Sequence, residues 1–282
     1  MPIDLDTYRQ QSLETWDEMA PGWMDRREWL LGMTAPVSDW LVANCDARPR
    51  QTILELACGT GDLGLRLAEI VGPGGRVIST DFAPEMVDAA RRNAQAQGAS
   101  NVEQRVLDAE RMDLDDNSVD CVLCRFGFML MADAGQALRE SRRVLRSGQP
   151  LCFAVWRTPD RNPWIAIPAL TLVQRGHMPP PEPAGPGIFA LGDRDQTAAL
   201  ARAAGFGEPR LESVDFAFRY SDFDDLWDSI MRLAGPLARA LKELPDEENA
   251  ATKDAIRENL ASFRDESGSY TAPASAWGVL AR

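Results

Sequence analysis

From about residue 50 the chain alternates between two hydrophobic rhythms. Short apolar runs bounded by turn residues read as strands: QTILELA (51–57), RVISTD (76–81), NVEQRVLD (101–108), SVDCVLCRF (118–126) and PLCFAVW (150–156). Between them, LGLRLAEIV (63–71), APEMVDAARRNAQAQG (83–98) and DAGQALRESRRVLRSG (133–148) have helical spacing. GPGG (72–75) stops the first helix, Pro84 suits the first turn of the second and Gly98 its end, and Gly148 is the expected C-cap of the third. Repeated strand–helix units predict an α/β fold, a doubly wound and mostly parallel sheet with helices on both faces.

The flanks carry a different pattern. Residues 1–45 read as two helices bearing Trp16, Trp23, Trp29 and Trp40. Residues 157–192 are rich in Pro and Gly and too long for a simple connection. DRDQTAALARAAGF (193–206) returns to a helix and RLESVDFAF (210–218) to a strand. Residues 222–264 read as two amphipathic helices, and AWGVLAR (276–282) as a last short strand that brings the sheet to seven.

Composition narrows the chemistry. No apolar run approaches the roughly 20 residues of a membrane span, and MPIDLDTYRQQ does not resemble a targeting segment, so a cytoplasmic location is expected. The formal net charge of −13 repels phosphate backbones and argues against a nucleic-acid partner. The expected partner is a small molecule, and the expected state a monomer or homodimer. Five cysteines with no secretory context point to reduced thiols. Cys121 and Cys124 form a C-x-x-C, but three residues apart on a strand they face opposite ways, so no metal is expected.

The candidate chemistry sits in the first strand–helix turn, ELACGTGDLG (55–64). Gly59, Gly61 and Gly64 spell G-x-G-x-x-G, which by itself suits a nicotinamide dinucleotide as well as another nucleoside cofactor. Asp81, twenty residues after Gly61 at the end of the second strand, suits a ribose diol in either. Two residues favour the second cofactor. Glu55, just before the glycines, would repel a pyrophosphate but can hold an ammonium group. Asp108, after the third strand, can accept from an adenine amino group.

These linked segments resemble the class I S-adenosylmethionine-dependent methyltransferases. The closest branch is that of the ubiquinone/menaquinone-biosynthesis C-methyltransferases and related small-molecule enzymes. The resemblance is strong over residues 50–157 and extends weakly to ETWDEMAPGW (14–23). It implies a Rossmann-like core with S-adenosylmethionine as cofactor. Glu55, Ala57, Gly59 and Gly61 would form the loop against the methionine part, and Asp81 would hold the ribose. Phe82 and Met86 would pack on adenine, Asp108, Ala109 and Glu110 would border its edge, and Arg125 would face the methionine end. Residues 1–45 would be a helical lid, with Tyr8, Trp16 and Trp23 its contacts. The core would span 46–157, 193–221 and 274–282, and residues 158–192 and 222–273 would be substrate-covering insertions. Ala57 stands where the general pattern has its first glycine, a variant the quinone branch shares, and RSGQP (146–150) replaces the usual KPGG turn.

Blander readings stand beside these. Phe126 reads equally as a core aromatic, and the acidic run ERMDLDD (110–116) as a solvated loop. His177, the single histidine, lies in a Pro-rich loop and is the candidate general base if the acceptor is an alcohol. With so little acid–base equipment, alignment and exclusion of water are the expected means of an in-line methyl displacement. Trp164, Phe189, Phe223 and Trp227 suggest an apolar or aromatic acceptor. The alternatives are a SAM-binding enzyme that steers a cyclisation, a nicotinamide oxidoreductase and a non-catalytic binding module.

Overall fold

In the computed structural model, which describes residues 4–182 and 185–282, the apolar runs pair into one seven-stranded sheet. Its strands are β1 (Thr52–Leu56), β2 (Arg76–Asp81), β3 (Val102–Val106), β4 (Cys121–Arg125), β5 (Leu151–Trp156), β6 (Arg210–Tyr220) and β7 (Tyr270–Ala281), in the order β3-β2-β1-β4-β5-β7-β6. The first five are parallel, and β7 runs antiparallel to both β5 and β6. β4 and β5 are covered on both faces, which is why they read as unbroken apolar runs and not as alternation.

Helices α3 (Asp62–Val71), α4 (Pro84–Ala96), α5 (Ala134–Val144) and α7 (Arg194–Ala203) make the expected crossovers. The chain builds β1, β2 and β3 outward, then returns to lay β4 on the other side of β1. Strand order therefore reverses between β1 and β4, and the crevice beyond their carboxyl ends is where such sheets bind ligands. The two amino-terminal helices are α1 (Leu5–Asp25) and α2 (Arg27–Asn44), which break at Arg26. The remaining helices are α6 (Pro163–Gln174), α8 (Phe223–Leu233), α9 (Gly235–Lys242) and α10 (Asp246–Asn259). No helix among the described residues is long and apolar enough to cross a membrane.

Four local expectations change. The Pro-rich stretch 157–192 contains α6, with Pro163 at its start and Pro168 inside it. Burial of Ile165, Pro168, Thr171 and Leu172 outweighs the lost backbone hydrogen bond. Residues 222–264 form three helices, because Gly235-Pro236 opens a new first turn and Pro245 ends the next segment. Gly148 does not cap α5, which stops at Val144; it takes a positive φ of 77° in the turn closed by Gln149 N–H donating to Arg146 O. The last strand has 12 residues, not a short run. Its Ala-rich first half and Pro273 hide it, and Pro273 is tolerated because β5 pairs only with residues 276–281, leaving Pro273 a neighbour on one side.

The two amino-terminal helices also have separate roles, although the sequence suggests one lid. α2 lies flat on the sheet. Trp40 rests on the backbone of Gly278 in β7 and donates its Nε1–H to Glu212 of β6 at 2.8 Å. A Cβ at residue 278 would come within 2.6 Å of the indole. We predict that Gly278→Ala lifts α2 from the sheet at a cost of about 1–3 kcal/mol. A lower urea midpoint with an altered tryptophan emission reports it, and an unchanged midpoint contradicts the packing.

Candidate functional site

β1 delivers its carboxyl end into a turn bent by three consecutive odd positions with positive φ: Ala57 (51°), Gly59 (54°) and Gly61 (76°). Gly61 then caps α3. Left-handed backbone is cheap for glycine and costs alanine roughly 1–2 kcal/mol, so Ala57 holds strain at this turn.

Glu55, on β1, is 2% exposed. Its Oε2 accepts the Ser79 hydroxyl of β2 at 2.6 Å, and α3 passes directly over it at Gly64. A Cβ on residue 64 would stand 2.4 Å from that oxygen. The third glycine of the fingerprint therefore serves close contact between helix and carboxylate. Burial pushes the Glu55 carboxyl up to about 7, with the Ser79 hydroxyl and the Arg125 charge opposing and Asp62 adding to the rise. Asp81 closes the turn from β2, accepting Gly59 N–H at 3.0 Å and Ala83 N–H at 3.1 Å. Burial pushes it up to about 6 despite those bonds. Each oxygen keeps a lone pair for a further donor. Two desolvated carboxyls thus sit under one turn and favour an arriving cation.

α1 lies across these strand ends and touches the loop after each of the four strands. The Tyr8 hydroxyl donates to Leu130 O, beyond β4, at 2.9 Å. Arg9 pairs with Glu110, beyond β3. Asp17 accepts Glu85 N–H at the start of α4, beyond β2, at 3.0 Å. The Trp23 ring lies against Gly59, beyond β1. Arg27, opening α2, continues the line by pairing with Asp62 at the start of α3. Phe82 and Met86 join Trp16, Met19 and Trp23 in one apolar cluster, so the residues expected at adenine already pack on the underside of α1. Trp16 and Trp23 meet edge to face at 5.8 Å.

The remaining expected residues divide. Asp108 is exposed, and its Oδ1 caps its own turn by accepting Glu110 N–H at 2.8 Å. Ala109 is buried beside it. Glu110 is engaged structurally, accepting from Arg9 and from Asp133 N–H. Arg125 turns beneath α2, donating to Thr34 Oγ1 at 3.1 Å and Ser38 Oγ at 2.8 Å. Desolvation lowers its pKa, and the charges of Glu55 and Asp62 oppose that. His177 lies apart from this group. Its Nε2 is 2.8 Å from Glu248 of α10, which Arg175 also binds. It follows the far end of α6, which lies about 15 Å along the helix from Trp164 by rise per residue. Phe223 and Trp227 pack on each other under Lys253 and Arg257 of α10.

One feature of the site was missed in the sequence. Trp156, Phe216 and Phe218 gather around Phe126 and Trp164, with Phe126 and Trp156 stacked at 4.0 Å. The FAF alternation of β6 puts Phe216 and Phe218 on one face, a period-two signal that was legible. The five cysteines are all buried, and no metal-binding group of His, Cys, Asp or Glu occurs among the described residues.

Two outcomes follow from the Glu55 pocket. Because its pKa is higher folded than unfolded, this group favours folding at low pH. That contribution is lost as pH rises from 4.5 towards 7, up to about 3 kcal/mol. Glu55→Gln should remove this slope, read as the difference between the two proteins' urea stabilities at pH 5 and pH 8; parallel curves would contradict it. Gly64→Ala should cost about 1–3 kcal/mol by overpacking, and an unchanged melting temperature would show that α3 stands clear of Glu55.

Comparison with known proteins agrees with this geometry. Residues 53–148 match the family described as a methyltransferase domain. The chain is 36% identical over 151 residues to the 2-phytyl-1,4-naphtoquinone methyltransferase of Trichormus variabilis, covering 52% of this chain and 65% of that one. It is 37% identical over 120 residues to the ubiquinone/menaquinone biosynthesis C-methyltransferase UbiE of Hahella chejuensis, covering 42% and 48%. The chain thus spans about half to just under two thirds of these relatives. The YcgJ protein of Bacillus subtilis shares the fold, with a TM-score of 0.58 and 17% identity over 86% of this chain and 96% of that one. The turn, the strand order and the matched segment together make residues 53–148 a methyltransferase domain, and over that part the chain is similar to the quinone C-methyltransferases.

Proposed function

We propose that this chain moves a methyl group from S-adenosylmethionine to a carbon, oxygen or nitrogen nucleophile of a small, apolar or aromatic acceptor. The observation that carries this reading is the pair of buried carboxyls, Glu55 and Asp81, at the glycine turn. A pyrophosphate would bring negative charge against Glu55, whereas an ammonium there and a ribose diol on Asp81 satisfy both carboxyls. The residues present therefore fit an adenosyl-methionine group and disfavour a dinucleotide. The two relatives, both named for quinone chemistry, support an acceptor of that kind.

Bound here, the cofactor supplies a methyl carbon made electrophilic by an adjacent sulfonium. The chain's own residues do the rest. Glu55 meets the ammonium end, directly or through water, and Asp81 accepts from the ribose hydroxyls. Phe82 and Met86 take the adenine face, and Asp108 with Ala109 its edge. α1, through Tyr8, Trp16 and Trp23, closes over the strand ends and excludes water, while residues 158–192 and 222–273 cover the acceptor. His177, tied to Glu248, has no part in this account. Rate enhancement rests on alignment and desolvation, which for well-oriented groups supply on the order of 7–11 kcal/mol. No nucleic acid takes part, and the chain works as a monomer or homodimer.

Calorimetric titration tests the reading. S-adenosylhomocysteine should bind, NADH should not, and Asp81→Ala should abolish the first. His177→Ala should keep turnover with labelled cofactor unchanged across pH. NADH binding without S-adenosylhomocysteine binding would overturn the proposal.

A further inference from the structure

The aromatic cluster at the carboxyl ends of β4, β5 and β6 has one member that is held in place against the preference of its own backbone. Phe126, directly after β4, has φ 63°, in the left-handed region that a bulky side chain rarely enters. Its ring lies face to face on Trp156, with centroids 4.0 Å apart and planes 5° from parallel. Strained positions of this kind collect at functional sites, where the surroundings over-determine them.

The surroundings here are specific. Phe126 N–H donates to Ala154 O of β5 at 2.8 Å. The next residue, Gly127, is wedged against the cofactor turn, and a Cβ on it would stand 2.6 Å from the Cβ of Ala57. The segment 125–127 therefore joins the glycine turn on one side to the aromatic cluster on the other. Trp156 is 5% exposed and backed by Trp164, Phe216 and Phe218, while Phe126 in front of it is only half-buried. Trp29 of α2 stacks on Phe218 and closes the far end of the cluster. The nearest guanidiniums are engaged elsewhere: Arg125 is turned away under α2, Arg157 lies over Trp277, and Arg26 covers Trp29 at the far end of the cluster, away from Phe126. Recognition at such a surface depends on flat apolar area and ring quadrupoles, and charge has no share in it.

We infer that Phe126 is the specificity-determining residue for the acceptor. Its ring, backed by Trp156, is the platform on which a planar, uncharged ring system lies, and puckered molecules of the same skeleton are bound less well. The inference rests on the methyl-transfer reading above and adds which residue chooses the acceptor and by what property. It also accounts for the left-handed backbone: a residue at 126 with ordinary φ would carry its ring off Trp156.

The test uses the full chain saturated with S-adenosylhomocysteine and two probes, 1-naphthol and decahydro-1-naphthol, titrated by calorimetry. The wild-type chain should prefer the planar probe by about two- to tenfold, the range an aromatic pair supplies. Phe126→Leu should abolish that preference, Phe126→Tyr should retain it, and both should bind S-adenosylhomocysteine as the wild type does. Phe126→Gly, which relieves the backbone strain, should behave like Phe126→Leu. Equal binding of the two probes by the wild type, or a preference that survives in Phe126→Leu, would overturn the inference. So would a loss of S-adenosylhomocysteine binding in Phe126→Leu that matches the loss of naphthol, since Phe126 would then serve the turn and not the acceptor. Failure of the wild type to bind S-adenosylhomocysteine would overturn the methyl-transfer reading instead.

Discussion

The close approach of α3 to Glu55 is the contact on which the site depends. A carboxyl that is 2% exposed survives only with compensation, and here the compensation is the Ser79 hydroxyl, the Arg125 charge and the backbone N–H of Gly64, which can come close because residue 64 has no side chain. That geometry sets the height of α3 over β1 and β2. The height of α3 in turn sets the curvature of the turn from Ala57 to Gly61, where Asp81 reaches across from β2 to hold Gly59. The desolvated carboxyls are unfavourable in isolation. In the proposed function the turn meets a cation, and the energy of burying them then becomes affinity.

The second organising element is α1. A helix laid across four strand-end loops ties their positions together, with a neutral hydrogen bond at one end, an ion pair at Glu110 and indole packing on Gly59, and Arg27 at the start of α2 adds an ion pair at Asp62. Its own shape depends on close approach. At Gly22 a Cβ would be 2.7 Å from Arg232 O of α8, so the APGW segment of α1 is where the helix passes nearest its neighbour. The break at Arg26 then frees α2 to follow the sheet. Its guanidinium covers Trp29 at 4.6 Å and pairs with Asp225, fixing the angle between the two helices. Coverage of the strand ends and anchoring of α2 thus come from adjacent stretches of one chain.

The aromatic side of the strand ends follows a different physical logic. Around the glycine turn, charge and hydrogen bonding dominate, and each group has a direction. Around Phe126 the surface is a set of stacked rings without charge, and shape and flatness decide what lies on it. One segment of three residues, Arg125 to Gly127, borders both regions. Such division suits an enzyme family in which one cofactor serves many acceptors.

Much of this was legible in the residues. The strand–helix alternation from residue 50 to 157, the acid before the glycines and the acid closing the second strand are local signals. They follow from burial period and from what a turn needs, so sequence alone determined the core and its turn. Other features were decided only by the fold. α6 forms in a proline-rich stretch because its buried face outweighs local propensity, and β7 runs through an Ala-Pro segment because β6 and β5 supply its partners. Phe126 and Gly127 give no hint that one takes a left-handed backbone and the other abuts Ala57, and His177 gives no hint that its partner is Glu248, 71 positions away. Periodicity and turn chemistry act over a few residues and can be read in order. Stacking, close approach and ion pairing join residues far apart in the chain, and only the packed sheet and helices bring them together.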